Sequence, residues 1–458
     1  MDGWPSTELM RADDESQNPT LHQFEAMHRA TRDRLGFLTG GPGTGKTHVT
    51  SCFIKLLPVG ELALAAPTGK AAVRMRQSLE ARTGLKLMAT TIHKLLGPEP
   101  RADGTFGFTF TRDNRLPFRY YIIDESSMID TALMAALLEA LPDDAYILFI
   151  GDPEQLPPVG RGRPFLDMLS RFPDNRGHLS EIHRFAGTIA RVCDAIKKGE
   201  PWAGDDRIDL EAVPPKNFAH VECGSAQASI DMMLRILNSA KEKWGFDPME
   251  DMQVLCAVNR KTPVSRQELN TILQSQFNPD GEKVGQSKWR IGDKAICLRN
   301  GYRKGAKPVQ IDPSRSFTKV DGFGDANRDE DLEEKVYVAN GEIGKLVGHE
   351  QGKLQFQFDD GRSIIVPMGQ WDEFDLGYAL TVHKSQGSQW KCIIVMIDDS
   401  NSADWVASRS YHYTGASRPG KVGFLVGRKN AFHRQCQKLD VHNRKTFLVE
   451  KISERLSA

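Results

Sequence analysis

The sequence predicts an α/β protein with two parallel-sheet domains, a β hairpin inserted in the first domain and a small β barrel inserted in the second. Short apolar strands alternate with helical stretches from Leu35 to Ile150, which is typical of a parallel sheet covered by helices on both faces. A second region of this kind begins near Leu179. Within it, residues 289–367 change to short strands separated by Gly and Asp turns, as in a small barrel.

Each predicted strand of the parallel sheets is a short apolar run. The runs are Gly36–Thr39, Leu62–Ala66, Tyr120–Ile123 and Tyr146–Ile150 in the first domain and Gln253–Val258 and Cys392–Ile397 in the second. The predicted units are a leader (1–17), the first domain (18–178), the second domain in two parts (179–288 and 368–458, the latter with a C-terminal tail) and the barrel (289–367). The polar leader is expected to be flexible, and the acidic residues 320–335 are expected to form an exposed loop.

The inserted hairpin is predicted within residues 97–117. Phe106, Phe108 and Phe110 alternate there with small or polar residues, and Asp103-Gly104 is a favourable hairpin turn. The pattern fits a β excursion that packs on its own domain, and it also fits a hairpin with a separate task.

Composition limits the classes of function. The chain has 458 residues, with 60 Lys+Arg and 60 Asp+Glu, so it has no overall basic charge of the kind a sequence-specific DNA-binding protein carries. A local basic channel remains compatible with this balance, because the distribution of charges sets the field. Seven cysteines without a C-x-x-C pair argue against a disulfide framework or a zinc site. No apolar run approaches the ~20 residues of a membrane span, so a cytoplasmic location is expected.

The segment "GGPGTGKT" at residues 40–47 fits the phosphate-binding pattern G-x-x-x-x-G-K-[ST]. Lys46 is expected to reach the β- and γ-phosphates, and the Thr47 hydroxyl is expected to bind Mg²⁺. The residues expected to form the loop itself are Gly41, Pro42, Gly43, Thr44 and Gly45. A chance Gly-rich turn is the alternative, but a strand precedes the segment and a helix follows it, which favours ATP or a similar nucleotide.

Polar residues follow two further strands. In "YYIIDESSMID", Asp124 can hold the Mg²⁺ shell and Glu125 can accept the proton of an attacking water, although such residues also begin helices. In "ILFIGDPEQLPPVG", Gln155 can sense the γ-phosphate, and a proline-stiffened turn is the alternative.

A "DES" strand followed by "GDPEQLPPV" resembles superfamily 1 helicases, in particular the RecD/Dda/Pif1-like branch. Further segments resemble that family's motifs in the same order, namely "LAAPTGKAAVRM", "TTIHKLL", "LSEIHRF", "YALTVHKSQGSQW" and "YTGASRPGKVGFLVG". The resemblance covers roughly Pro19 to Gly427. The form "TGASRPG" departs from the branch's usual "TAxTRA" motif but keeps its arginine, Arg418.

The resemblance implies two RecA-like domains, a pin formed by residues 97–117 and an SH3-like barrel. It implies an ATP-dependent DNA helicase that moves 5′→3′ on single-stranded DNA, and the polarity comes only from the resemblance. Gln23 would read adenine. Arg184 and Arg418 would stabilise charge in the transition state. Single-stranded DNA and strand junctions would be the partners, with single-strand-binding or replication proteins as further candidates.

The residues expected to contact DNA supply hydroxyls and cations suited to phosphates. They are Pro67, Thr68, Lys70, Thr91, His93, Thr381, His383 and Lys384, with Phe106 and Phe108 on the pin. His93 could equally be a satisfied core histidine. Trp289 and Trp390 could stack on bases, although buried core is the favoured interpretation of both.

Three other functions fit parts of the pattern. A translocase that remodels protein–DNA complexes would share every motif except a working pin. A superfamily 1 RNA helicase would depend on the 2′-hydroxyl. A nucleotide switch without hydrolysis would lack Glu125 and both arginines, so their presence argues against it.

Overall fold

The first domain is a six-stranded parallel sheet with helices on both faces. The computed structural model describes residues 3–11, 17–100, 106–181, 187–200, 202, 204–205, 207–307, 335–358, 360–439, 444 and 446–457. The first elements are α1 (Leu21–Ala30), β1 (Leu35–Gly40), α2 (Lys46–Ile54), β2 (Leu62–Ala66), α3 (Gly69–Thr83), β3 (Ala89–Thr91), α4 (Ile92–Leu95), β4 (Pro98–Pro100), β5 (Phe106–Phe108), β6 (Tyr120–Ile123), α5 (Thr131–Ala140), β7 (Tyr146–Gly151), α6 (Pro164–Arg171) and β8 (Arg176–Leu179). The strand order is β3-β2-β6-β7-β1-β8.

The inner strands of this sheet are largely apolar because helices cover both faces, whereas the edge strands β3 and β8 include polar residues. Phe37 of β1 and Phe149 of β7, for example, are fully buried, and their ring centroids are 5.9 Å apart. Strand predictions for the first domain are confirmed, to the residue for β2 and β6. Strands β4 and β5 pair in antiparallel fashion within the predicted hairpin, whereas residues 101–105, including its Asp103-Gly104 turn, lie outside the described residues.

The second domain begins with α7 (Gly187–Lys198), β9 (Phe218–Val221), α8 (Ala226–Trp244), β10 (Met252–Cys256) and α9 (Arg266–Phe277). An insertion follows, with β11 (Lys294–Cys297), β12 (Gly301–Gly305), β13 (Lys335–Val338), β14 (Ile343–Glu350), β15 (Lys353–Phe358), β16 (Ser363–Pro367) and β17 (Phe374–Leu376). These form one seven-stranded antiparallel sheet in the order β13-β12-β16-β15-β14-β11-β17. The sheet therefore continues past residue 367, where the sequence predicted its end. Most of the predicted acidic loop at 320–335 lies outside the described residues.

The chain then completes the second parallel sheet. Its remaining elements are β18 (Ala379–Thr381), β19 (Trp390–Met396), α10 (Asn401–Asp404), α11 (Arg409–Ala416), β20 (Pro419–Val426), α12 (Lys429–Cys436) and α13 (Leu448–Ser457). The strand order is β18-β10-β19-β20-β9. Within the described part of the chain, no helix combines the length and apolar character needed to cross a bilayer.

The inserted sheet shares a core with the second domain. Trp289 is 1% exposed, and its ring centroid lies 5.4 Å from that of Phe356, which stacks on Phe374 at 4.6 Å. Beside them, the buried Asp293 carboxylate accepts hydrogen bonds from Gln274 and Tyr378, at 2.6 and 3.0 Å. Burial raises the pKa of Asp293. Trp289 is therefore a core residue, in agreement with the favoured interpretation of its sequence context.

The start of the chain differs from the prediction of a flexible leader. The Trp4 indole lies 5.4–5.5 Å from the rings of Phe53, Tyr120 and Tyr146, and Met10 is 1% exposed. Residues 3–11 are consequently held on the first domain, because they cover apolar surface where β6 and β7 begin.

The C-terminal helix also departs from the predicted domain assignment. Helix α13 packs on α6 of the first domain. Just before it, the Thr446 hydroxyl donates to Asp167 at 2.8 Å, and Arg444 donates to the Gly160 carbonyl at 3.0 Å. The chain thus crosses the domain boundary once more after α12.

Two buried histidines make stability depend on pH. His412 pairs through Nε2 with Gln435 Oε1 at 2.8 Å, and burial lowers the pKa values of His220 and His412 to about 4. The unfolded chain binds these protons below pH ~6.5 and the folded chain does not, so stability is intact above pH ~6.5 and falls towards pH 4.

We expect roughly 1–2 kcal/mol of lost stability per histidine between pH 7 and 5. Thermal unfolding midpoints followed by circular dichroism across this range would measure it. The unfolding midpoint of His412→Asn should depend less steeply on pH than that of the wild type. The midpoint of His349→Asn, at an exposed position, should depend on pH as steeply as that of the wild type. Equal slopes in all three proteins would contradict the assignment.

Candidate functional site

The loop between β1 and α2 forms a cradle of backbone amides. Gly43 and Gly45 have φ of 76° and 86°, which glycine adopts without a steric penalty. The Thr44 hydroxyl braces the loop by donating to the Gly41 carbonyl at 2.8 Å. Lys46 Nζ donates to the carbonyls of Gly40 and Gly41, at 2.5 and 3.0 Å. A lysine ammonium is thereby held at the N-terminus of α2, where an anion is favoured.

Gln23 ties helix α1 to this loop. Its Oε1 accepts from the Thr20 amide at 3.2 Å, while the Thr20 hydroxyl accepts from the Gln23 amide in a capping box. Its Nε2 donates to the Thr44 carbonyl at 3.4 Å. Gln23 lines the cavity beside the loop, and adenine reading by this residue stays a prediction.

Two carboxylates follow β6 at the same edge of the sheet. Glu125 has φ 52° and ψ 39°, a left-handed conformation that costs about 1–3 kcal/mol in a residue other than glycine and that clusters at functional sites. Burial and the Glu125 carboxylate raise the pKa of Asp124 to about 6, and Lys46 lowers it. Asp124 and Thr47 line the same cavity. A carboxylate and a hydroxyl in this setting fit a divalent cation such as Mg²⁺.

The first cavity, of about 600 Å³, lies between the two parallel-sheet domains. Its second-domain wall includes Gln389, Ser417 and Arg418. Arg418 is 3% exposed, and its guanidinium donates to the Thr414 carbonyl at 3.0 Å and the Ser417 hydroxyl at 2.8 Å. Burial lowers the pKa of Arg418, and the Glu125 carboxylate raises it.

Gln155 lines the first cavity from the loop after β7. The residue is 6% exposed, and its Oε1 has no hydrogen-bond partner among the residues that the structure describes. A buried acceptor of this kind costs free energy unless a ligand, ion or water satisfies it. The amides of the loop before α2, the carboxylates after β6 and the Gln155 acceptor together fit a nucleoside triphosphate with its metal ion.

Sequence reasoning missed one wall of the first cavity. Along α3, one helical face lines it through Ala71, Arg74, Met75, Ser78 and Arg82. Their spacing of three and four residues is the signal that could have identified them. Arg74 is near enough to Asp124 to lower the pKa of that carboxyl, so it adds a second first-domain cation to Lys46.

A second cavity, of about 750 Å³, also lies between the domains. Eight residues predicted to contact DNA line it, namely Pro67, Thr68, Lys70, Thr91, His93, Thr381, His383 and Lys384. The inserted sheet and its turns contribute Asn300, Tyr337 and Asn340. Lys384 donates to Asn340 Oδ1, and burial lowers the pKa values of Lys384 and His93.

The aromatic residues predicted to contact DNA do not line the second cavity in the described part of the chain. Trp390 is 5% exposed, and Lys70 Nζ lies 4.1 Å from its ring centroid, so it is a core residue with a cation on one face. Phe108 is half-buried, packs on the first-domain core, lies 6.0 Å from the His93 ring and is not among the residues that line the second cavity. The Phe106 side chain and the whole of Arg184 lie outside the described residues, and their roles stay predictions.

Several segments line both cavities, and two of them meet across the domain boundary. In the loop before β19, Gly387 and Gln389 face the first cavity, whereas Gln386 and Ser388 face the second. At the start of α3, Thr68 and Lys70 line the second cavity and Ala71 lines the first. The two elements touch, since a Cβ at Gly387 would lie 2.9 Å from the Ala71 Cβ and 3.1 Å from the Thr68 hydroxyl.

Buried contacts from the loop after β7 also cross the domain boundary. Leu156 is 1% exposed and belongs to the core of the second domain. Its amide donates to the Thr414 hydroxyl at 2.8 Å, and its carbonyl accepts from Gln386 at 2.9 Å. The Tyr413 hydroxyl donates to Asp152 at 2.7 Å. The loop that carries Gln155 is therefore fixed to the second domain.

Comparison with known proteins agrees with this arrangement. Residues 23–161 match the family described as an AAA domain, and residues 376–421 match the UvrD-like helicase C-terminal domain. The RecBCD enzyme subunit RecD of Mycolicibacterium smegmatis is 30% identical over 440 residues, which cover 88% of this chain and 70% of that protein. The chain belongs to the RecD-like branch of superfamily 1 helicases.

This RecD-like chain is also similar to a second helicase sequence and to a solved structure. The ATP-dependent RecD2 DNA helicase of Deinococcus radiodurans is 30% identical over 437 residues, covering 94% of this chain and 52% of that protein. The chain thus spans about half the length of that relative. A crystal structure of the Pif1 helicase from Bacteroides in complex with ADP-AlF3 and ssDNA has a TM-score of 0.48 and 17% identity, over 96% of this chain and 97% of that one. The RecD-like assignment rests on the sequence relatives.

The contact at Gly387 provides a test of the domain arrangement. Gly387→Ala should destabilise the protein, because the added Cβ meets Ala71 and because φ is +69°. Gly84→Ala is a matched control, since Gly84 has φ +67° and open space around a Cβ. Backbone strain of about 1–2 kcal/mol is common to both variants, and overpacking adds about 1–3 kcal/mol at Gly387 alone. Equal thermal unfolding midpoints for the two variants would contradict the close contact.

Proposed function

We propose that the chain is an ATP-dependent DNA helicase that translocates 5′→3′ on single-stranded DNA and unwinds duplex DNA. One observation carries the proposal. The nucleotide cavity and the second cavity lie between the same two domains and share α3 and the 386–389 loop as walls. A change in domain separation at one cavity therefore changes the other, which is the requirement for a motor.

The residues of the first cavity suit phosphoryl transfer to water. Bound ATP would supply the γ-phosphoryl group, whose oxygens Lys46 and the loop amides bind. Thr47 and Asp124 would hold Mg²⁺, which would neutralise part of the phosphate charge. Glu125 accepts the proton of the attacking water. Arg418 approaches from the second domain and stabilises developing charge only when the domains are close.

The residues of the second cavity suit a nucleic-acid backbone. Its walls combine threonine hydroxyls, asparagine amides, the His383 imidazole and the cations Lys70 and Lys384. These groups favour phosphate oxygens over base edges, so binding should be independent of sequence. The zero net charge of the whole chain does not oppose this, because the local distribution of charges sets the field, and Lys70 and Lys384 both line this cavity.

The two insertions have proposed roles beside this cavity. The β4–β5 hairpin is anchored by Phe108 and Phe110, which pack on the first-domain core, and Phe108 lies next to His93 of the second cavity. This position supports a role as the pin that separates strands. The inserted sheet contributes Tyr337 and Asn340 to the cavity wall, which supports its role as an SH3-like subdomain that encloses the single strand.

Strand displacement from tailed duplexes tests the function and its polarity. With ATP, the chain should release the labelled strand from a duplex with a 5′ tail and not from one with a 3′ tail. The Lys46→Ala variant should release the strand from neither duplex, because its contacts with the ATP phosphates are lost. Its binding of single-stranded DNA should persist. ATP-dependent displacement from the 3′ tail alone would refute the polarity. DNA-stimulated ATP hydrolysis with no displacement from either tail would favour the remodelling translocase.

Glu125→Gln should separate nucleotide binding from hydrolysis. The variant keeps the shape of the side chain and loses the proton acceptor, so ATP turnover should fall about 10²–10⁴-fold while affinity for ATP changes little. Steady-state hydrolysis and equilibrium binding of a fluorescent ATP analogue measure the two quantities. Hydrolysis near the wild-type rate would assign the base to another group.

A further inference from the structure

One tryptophan of this chain differs from the others in its exposure. The sequence contains seven tryptophans, all of which lie in the described part of the chain. Trp405 is 91% exposed, whereas the remaining six are buried or half-buried. A large aromatic ring left in water forgoes its burial free energy, so a ring in this state is a candidate contact for a ligand.

The exposure of Trp405 does not come from a loosely held loop. The preceding Asp404 carboxylate accepts from Gln435 Nε2 at 2.9 Å and from Arg434 at 3.2 Å, and Lys438 Nζ donates to the Asp404 carbonyl at 2.7 Å. On the other side, Val406 packs on the second-domain core, and Ala407 is 2% exposed. The backbone is fixed on both sides, so the ring is presented at little further cost in conformational entropy.

The position of Trp405 relates it to the second cavity. Its neighbour Val406 lines that cavity, together with Val258 and Asn259 of the loop after β10. Strands β10 and β19 are adjacent and parallel, so the loops that follow them leave the sheet at the same edge. Arg260 and Lys261 continue directly from Asn259, and both side chains are exposed. Two cations and one aromatic ring therefore flank the residues that line the cavity at this edge.

We propose that Trp405 is a stacking platform for a base of single-stranded DNA at the second-domain end of the cavity, with Arg260 and Lys261 contacting the adjacent phosphates. This inference rests on the proposed function. An exposed ring and two exposed cations at one edge of the sheet suit a single strand, because every base has a face that can stack and each nucleotide carries a phosphate. A protein partner is the other class of occupant, and the two exposed cations at this edge favour DNA over it.

Titration of the full chain with oligodeoxythymidylate, followed by intrinsic tryptophan fluorescence and by fluorescence anisotropy of a labelled oligonucleotide, tests the platform. Wild-type fluorescence should be quenched on binding. Trp405→Ala should abolish most of the quenching and weaken binding about tenfold. Trp405→Phe should also lose the quenching but keep affinity within about threefold, because phenylalanine can stack.

Control variants separate stacking from charge and from general damage. Met88→Ala removes a side chain that is 84% exposed just before β3, at the amino edge of the first sheet, and should change neither signal. The double variant Arg260→Ala/Lys261→Ala should lower the slope of log Kd against log salt concentration by about 1–2, since each phosphate contact contributes ~0.7 for a single strand. Trp405→Ala should leave that slope unchanged.

The outcomes distinguish this inference from the function on which it rests. If the wild type binds the oligonucleotide, Lys384→Ala weakens binding and Trp405→Ala binds within about twofold of the wild type, the platform is refuted while the DNA cavity stands. If the wild type does not bind, both are refuted. Unchanged DNA affinity, together with self-association that Trp405→Ala abolishes in analytical ultracentrifugation, would assign the ring to a second copy of the chain and overturn the proposal.

Discussion

The close approach of Gly387 to the start of α3 is the constraint on which both cavities depend. A Cβ at Gly387 would lie 2.9 Å from the Ala71 Cβ, so only glycine allows the two elements to meet at this distance. On one side of the contact, Ala71 and Arg74 face the nucleotide cavity, and on the other, Thr68 and Lys70 face the second cavity. Packed elements move as units because protein interiors resist continuous deformation. A shift of α3 relative to the 386–389 loop therefore changes the width of both cavities together.

Each of the other contacts between the domains contributes only a modest free energy, so the domains of a motor can still separate. Burial of Leu156 in the second-domain core is worth about 1.5–3 kcal/mol, and hydrogen bonds such as Tyr413 to Asp152 about 0.5–3 kcal/mol. A closed state held by a few such contacts can be opened by a ligand whose affinity differs between the two states by a similar amount. Helix α13 adds non-covalent contacts with α6 of the first domain, which also have to be kept or broken when the domains move.

Local patterns predicted the parts of this structure that depend on local physics. The strands, the phosphate loop and the carboxylates after β6 follow from apolar periodicity and from residue types at strand ends. Motif order placed eight candidate DNA contacts, and the structure brings all eight to one cavity. Exposure could not be predicted in this way. Trp289, Trp390 and Trp405 all lie in short apolar or mixed segments, and only tertiary packing leaves Trp405 in water. The packing of Trp4 depends on rings more than 45 residues away in sequence.

The net charge of the chain does not describe the electrostatics inside its cavities. Equal numbers of acidic and basic residues would give weak attraction for DNA if the charges were evenly spread. The behaviour of a single cation depends on its surroundings: Lys384 is partly buried in the second cavity, and desolvation lowers its pKa. A desolvated ammonium interacts more strongly with an incoming phosphate than a hydrated one, because the surrounding dielectric constant is lower. The affinity of such a cavity for DNA also depends on the distance between its walls. Closure of the domains around a nucleotide can therefore change the affinity for DNA without any change in net charge.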